Sequence, residues 1–195
     1  MPAWTIALVR TIERVNYRVG RFAMYLLFVL MGILLYSSVT TAVGAPSLWT
    51  LELAQFAMVA YYILGGPYSM QIGAHVRMDL FYANWSPYGK AALDAFTVFA
   101  LMAYIGVMIW GAVDSLVYSL SLRWTPVDVS WLPFDIPWPK TGFMERSPTA
   151  WRPYLWPIKV VMLFGFILMF LQALAQLIRD VAVIRGKEIE EFVAK

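Results

Sequence analysis

The sequence predicts an all-α integral membrane protein with four transmembrane helices and an N-terminal interfacial amphipathic helix, and three observations carry that prediction. Four apolar runs, residues 22–43, 48–68, 95–113 and 160–178, punctuate a chain that is 61% hydrophobic over 195 residues. Within those runs Glu52 is the single full charge. The basic residues collect between and outside the runs, where they flank apolar segments. A bilayer core of about 30 Å takes roughly 20 helical residues to cross. Backbone in hydrocarbon must also close its own hydrogen bonds, which a helix does and an isolated strand does not. Drawn as helices, the spans occupy about 22–43, 48–68, 94–117 and 157–179 of a single membrane domain, 1–195.

The first element is the amphipathic segment 2–21. At 100° per residue, Arg10, Arg14, Arg18 and Arg21 fall within an arc of about 80°, and Trp4, Leu8, Ile12, Val15 and Val19 within another of similar width. That division suits a helix lying along the headgroups with its arginines toward anionic lipid. The plainer alternative is a cytoplasmic extension whose arginines only set topology. A cleavable signal peptide fits poorly, because its apolar core is about 7 to 15 residues after a short charged start. Here the apolar run begins at residue 22 and extends to 43, and Pro46 follows the small residues Ala42-Val43-Gly44-Ala45. The first span is expected to be retained.

The second span opens with Glu52 and Gln55, which are three apart and share a face. An ionisable group in a membrane helix is a functional candidate by default. Glu52, however, lies within about a turn of the helix start, where the macrodipole and interfacial water favour a carboxylate. Subunit contact or helix-end stabilisation therefore competes with ion coupling. Gly65-Gly66-Pro67 should bend or end this span, since proline removes a donor and glycine eases the distortion. No matching break in a second half of the chain supports an inverted repeat.

Ser86-Pro87 supplies an N-cap and first-turn proline for the third span. Near its end, Gly111, Ser115 and Ser119 form a small-x-x-x-small run that should admit a neighbouring helix. Asp114 sits about where this helix leaves the bilayer and needs no special role. Residues 123–157 then hold seven of the eleven prolines and five of the nine tryptophans, so this stretch cannot be one regular helix. In the fourth span Gln172 and Gln176 are four apart and in line with Arg179. Such a stripe should face protein, because an unpaired amide in hydrocarbon is costly.

Charge distribution orients the chain. Arg10, Arg14, Arg18, Arg21, Arg77, Lys90, Arg179, Arg185, Lys187 and Lys195 fall on one side. Arg123, Lys140, Arg146 and Arg152 fall on the other, with Lys159 at the edge of the fourth span. The positive-inside bias then puts both termini in the cytoplasm. It also accounts for the net charge of +3 without nucleic acid, which is not expected as a partner.

Composition leaves little room for catalysis or cofactors. With no Cys there is no disulfide, Cys-ligated zinc, iron–sulfur cluster or catalytic thiol. One histidine, His75, cannot supply two imidazole ligands to a haem and would have to carry any Ser-His-Asp triad alone. Neither G-x-x-x-x-G-K-[ST], G-x-G-x-x-G nor H-E-x-x-H occurs. No catalytic, cofactor-binding or metal-ligating residue is expected.

Three motifs, in order, carry a family resemblance. The link after the second span reads Gly73-Ala74-His75-Val76-Arg77-Met78-Asp79-Leu80-Phe81-Tyr82, followed by Ser86-Pro87 and Leu93-Asp94. The second span starts with Trp49-Thr50-Leu51-Glu52-Leu53-Ala54. The fourth starts Trp151-Arg152-Pro153-Tyr154-Leu155-Trp156-Pro157-Ile158-Lys159 and continues through Gly165 to Leu171-Gln172-Ala173-Leu174-Ala175. Together, over about residues 20–180, these resemble the small membrane subunit of tripartite ATP-independent periplasmic (TRAP) transporters, the DctQ type. The chain departs from the pattern at Met70-Gln71-Ile72, where the family often has a basic residue, and in a longer third connection.

The resemblance implies a bacterial inner-membrane scaffold subunit of a sodium-coupled transporter for organic acids. It would brace a large DctM-type transmembrane subunit and help to engage a periplasmic DctP-type substrate-binding protein. Glu52, His75, Arg77, Asp79, Trp156, Pro157, Gln172 and Gln176 are the expected interface or structural residues. The long connection 120–152 would then be periplasmic, where its tryptophans could meet the binding protein or form an interfacial aromatic belt. The rivals are a four-helix anchor of a respiratory enzyme, which commonly supplies several His ligands, and a small exporter, which would want a deep carboxylate.

Overall fold

The computed structural model describes residues 3–73, 87–127 and 136–186. Among them stand helices α1 (Ala3–Ala42), α2 (Thr50–Gln71), α3 (Pro87–Ser119) and α4 (Trp156–Ile184). A two-stranded antiparallel hairpin, β1 (Leu122–Val127) and β2 (Ile136–Thr141), joins α3 to α4. Three helices are long and apolar enough to cross a membrane, over Trp4–Ala42, Leu93–Ser119 and Trp156–Ile184. The protein is a multi-pass membrane protein. α2 has the length, about 33 Å at 1.5 Å per residue. Gln55, three tyrosines and Pro67 dilute its apolar character.

The segment expected to form its own interfacial helix runs without a break into the first span. Nothing between Arg18 and Met24 stops a helix, and once nucleated a helix propagates at little cost. The resulting 40 residues measure about 60 Å, twice the hydrocarbon thickness, so about half of α1 lies outside the apolar layer. α1 ends in a Schellman motif. Gly44 takes φ 80°, Ala45 N–H donates to the Thr40 carbonyl at 2.9 Å, and Gly44 N–H donates to Thr41 at 3.1 Å.

Extensive contacts join α1 to α2 and α3 to α4, while α2 also packs on α4. α1 reaches α4 through its N-terminal half, where Val9 and Ile12 form a core with Ala175, flanked by Leu171 and Ile178. On α3 the buried residues Ile105, Ala112 and Ser119 are seven apart, the spacing of a heptad seam. Of the small-residue run predicted for close approach, Ser119 lies on this seam, whereas Gly111 is exposed, with nothing near its missing side chain.

α2 neither ends nor breaks at Gly65-Gly66-Pro67, and the helix continues to Gln71. Pro67 cannot donate to the carbonyl of Ile63 four residues earlier. That carbonyl faces Gly165 of α4, where a Cβ would lie 3.2 Å from the Ile63 oxygen and inside the van der Waals shell of Ile63 Cγ2. The freed acceptor is thus covered by a glycine backbone, the close approach through which small residues join membrane helices. Gly66 meets Met169 one turn on, which fixes α2 and α4 as parallel neighbours.

The proline-rich connection is not helical, as expected, and part of it forms the hairpin. Leu122 pairs with Thr141 and Val127 with Ile136, and Pro126 stands opposite Pro137. Proline is tolerated here because each strand has a free edge.

Candidate functional site

Two polar clusters lie at opposite ends of the bundle. The first, at the end that carries both chain termini, fastens α1 to α4. The face of α1 turned inward carries Thr5, Val9, Ile12, Glu13, Asn16 and Gly20, all buried. This face lies beside the apolar arc read from the sequence, of which only Ile12 is buried; Trp4 stays 67% exposed. Asn16 Nδ2 donates to Gln172 Oε1 at 2.7 Å, and Arg179 forms an ion pair with Glu13, whose side chain is only 1% exposed. Gln176 turns to its own helix, its Nε2 donating to Asp180 Oδ1 at 3.1 Å.

Of the stripe Gln172, Gln176 and Arg179, two members therefore reach α1 and one does not. Glu13 and Asn16 were missed by sequence reasoning. Their i, i+3 spacing was available, but nothing local shows that their partners lie more than 150 residues away. A buried pair of this kind is fragile to one-sided change, because losing one partner strands the other charge at a cost of about 3–5 kcal/mol.

The second cluster, at the hairpin end, ties the third connection to both helices it joins. Lys159, in the first turn of α4, lies 2.6 Å from Glu145 Oε2, and its Nζ donates to the Ser115 carbonyl at 3.3 Å. Glu145 N–H donates to the Ser119 carbonyl at 2.9 Å, and its own carbonyl accepts from Leu155 at 3.3 Å. The Lys159 ammonium, hydrogen-bonded to the carboxylate, holds Glu145 below its ordinary pKa of 4.5. Arg146 bonds the Tyr154 hydroxyl and lies 4.4 Å from that ring's centre. On the α1–α2 side, Thr50 Oγ1 lies 3.1 Å from Ser37 Oγ and 2.8 Å from Ser47 Oγ, and the Tyr36 and Trp49 rings are 5.4 Å apart.

The remaining predicted residues divide. Glu52 is 5% exposed, and neither carboxylate oxygen has a hydrogen-bond partner among the described residues. It shares the face of α2 that packs on α4, one turn or less from the helix start. Trp156 and Pro157 begin α4, with the proline in the first turn where its missing N–H costs nothing. Pro157 also lines an apolar groove of about 270 Å³ with Val29 and Phe56. His75, Arg77 and Asp79 lie outside the described residues.

The arrangement holds helices together by pairing polar groups with one another. The family model for tripartite ATP-independent periplasmic transporters, DctQ component, matches residues 30–139, more than half of the chain. No curated protein and no solved structure matches it significantly. The match takes in the Glu52 start of α2, the link and most of the hairpin, and includes none of the α1–α4 clasp residues Glu13, Asn16, Gln172 and Arg179. The chain belongs to the DctQ family, the small membrane component of TRAP transporters.

Proposed function

We propose that this chain is the fixed scaffold subunit of a sodium-coupled TRAP transporter for organic acids, bracing the large DctM-type subunit in the bacterial inner membrane. The family match carries this reading. The interior supports it: Asn16–Gln172, Glu13–Arg179 and Gln176–Asp180 spend polar groups of the bundle on internal pairing. In the proposed orientation the end bearing Arg10, Arg14, Arg18 and Arg21 is cytoplasmic, both termini with it, and α2 is the fourth transmembrane helix. The first half of α1 then lies at the cytoplasmic interface with Trp4 and Leu8 toward lipid.

The hairpin end, clamped by Lys159 and Glu145, is the periplasmic face on which the DctP-type binding protein docks. Gln172 serves the clasp on the cytoplasmic side and Gln176 braces α4 beside it through Asp180; Glu52, Trp156 and Pro157 serve the α2–α4 start, and His75, Arg77 and Asp79 the contact with the large subunit. One deletion and one double replacement test the assignment. Removing residues 127–141 should weaken binding-protein affinity while sparing co-purification with the large subunit. Joint replacement of Arg77 and Asp79 by Ala should reduce that co-purification. Unchanged uptake, affinity and co-purification in both variants would refute the assigned surfaces.

A further inference from the structure

A groove of about 410 Å³ runs between α1 and α2 at the end carrying the chain termini. Its α2 wall extends from Tyr61 to Ile72, about 16 Å of helix at 1.5 Å per residue. That is about half of a 30 Å hydrocarbon core, the depth of one leaflet. Gly65 opens it, since an added Cβ there would meet nothing within 4 Å, while on the α1 side Gly20 is closed against Tyr68, whose Cβ would lie inside the van der Waals shell of an added Cβ.

Cationic groups stand along its α1 edge. Tyr68 lines the groove, the Tyr17 ring lies 5.9 Å from the Tyr68 ring, and the Arg21 guanidinium carbon lies 5.8 Å from the centre of Tyr17. Arg14 stands two turns from Arg21 on the same edge of α1; both are exposed, and neither has a carboxylate partner among the described residues. Arg18 points farther round the helix, away from the groove, at 100° per residue.

We propose that this groove binds one anionic phospholipid of the leaflet at that end, an acyl chain lying along Gly65 and Met24 and the phosphate held by Arg21. Charge and length select the occupant: a slot of leaflet-scale length with a guanidinium free of carboxylates beside it matches a chain that ends in a negative headgroup. The proposal rests on α1's arginines lying at headgroup level and is independent of the transport role, so either can fail alone.

Native mass spectrometry of the full chain, in detergent with added phosphatidylglycerol or phosphatidylethanolamine, tests it. The unaltered chain should retain one phosphatidylglycerol in preference to phosphatidylethanolamine. Arg21→Gln should lower retention about fivefold, the worth of one arginine at an anionic surface. Gly65→Leu, which fills open space, should abolish it while preserving the gel-filtration profile, and Arg18→Gln should leave it unchanged. Equal retention of both lipids, equal effects of Arg18→Gln and Arg21→Gln, or full retention by Gly65→Leu would overturn the proposal. So would loss of the lipid on binding the large subunit together with cross-linking of that subunit to Gly65→Cys, since a helix would then be the occupant.

Discussion

Gly165→Ala is the sharpest test of how α2 and α4 are joined. The added methyl group overlaps Ile63 Cγ2 and comes to 3.2 Å from the Ile63 carbonyl oxygen. Ile63 is β-branched and in a helix, so its χ1 has one strongly preferred setting and cannot easily swing away. The carbonyl is backbone, left without its usual donor by Pro67. Relief must come from moving the helices apart, an overpacking cost of about 1–3 kcal/mol. The gain in helix propensity from Gly to Ala returns about 1 kcal/mol. The balance is a loss of about 1 kcal/mol, or roughly 2–4 °C in Tm for a chain of this size.

Gly106→Ala is the matched control, because nothing lies within 4 Å of its Cβ position and only the propensity gain applies. Thermal unfolding in detergent, followed by the intrinsic fluorescence of the nine tryptophans, should move the two variants in opposite directions. If Gly165→Ala raised Tm as much as Gly106→Ala, the close approach at Ile63 would not exist.

Three further outcomes follow from the polar contacts. Arg179→Met should cost about 3–5 kcal/mol by stranding buried Glu13, whereas Glu13→Leu with Arg179→Met should recover most of that loss; a double-mutant cycle of thermal stabilities measures the difference. Asn16→Leu leaves the Gln172 amide unpaired, and its cost in the same assay should be about 1 kcal/mol, the scale of a hydrogen bond between membrane helices. Glu145 has its folded pKa below 4.5, so its contribution is complete above that pH and is lost as pH falls through the lowered value. The unaltered chain should therefore lose stability as pH falls below 4.5 toward the lowered value, and Glu145→Gln should flatten that slope.

What could be read from the sequence was what depends on local pattern. The apolar runs marked the helices, and seven prolines over 123–157 ruled out a continuous helix there. The stripe of Gln172, Gln176 and Arg179 announced a protein-facing surface; Gln172 and Arg179 meet α1, while Gln176 bonds within its own helix. What depends on distant partners was not legible. The arc of Trp4, Leu8 and Val15 marked the apolar side of an interfacial segment, and those residues are exposed, but nothing local marked Glu13 and Asn16 as buried. Local periodicity records amphipathicity and cannot show that Gln172 and Arg179 wait opposite a polar face. Pro67 promised an interruption for a similar reason: the glycine that covers the freed Ile63 carbonyl lies about a hundred residues further along.

The central claim is that this subunit braces a transporter and moves no solute itself. Proteoliposomes holding this chain alone, the large subunit with the binding protein, or all three together measure it directly, with radiolabelled organic acids and an inward sodium gradient. The account predicts uptake only when all three are present. Sodium-driven uptake by vesicles holding this chain alone would contradict it, as would full uptake by the other two without it.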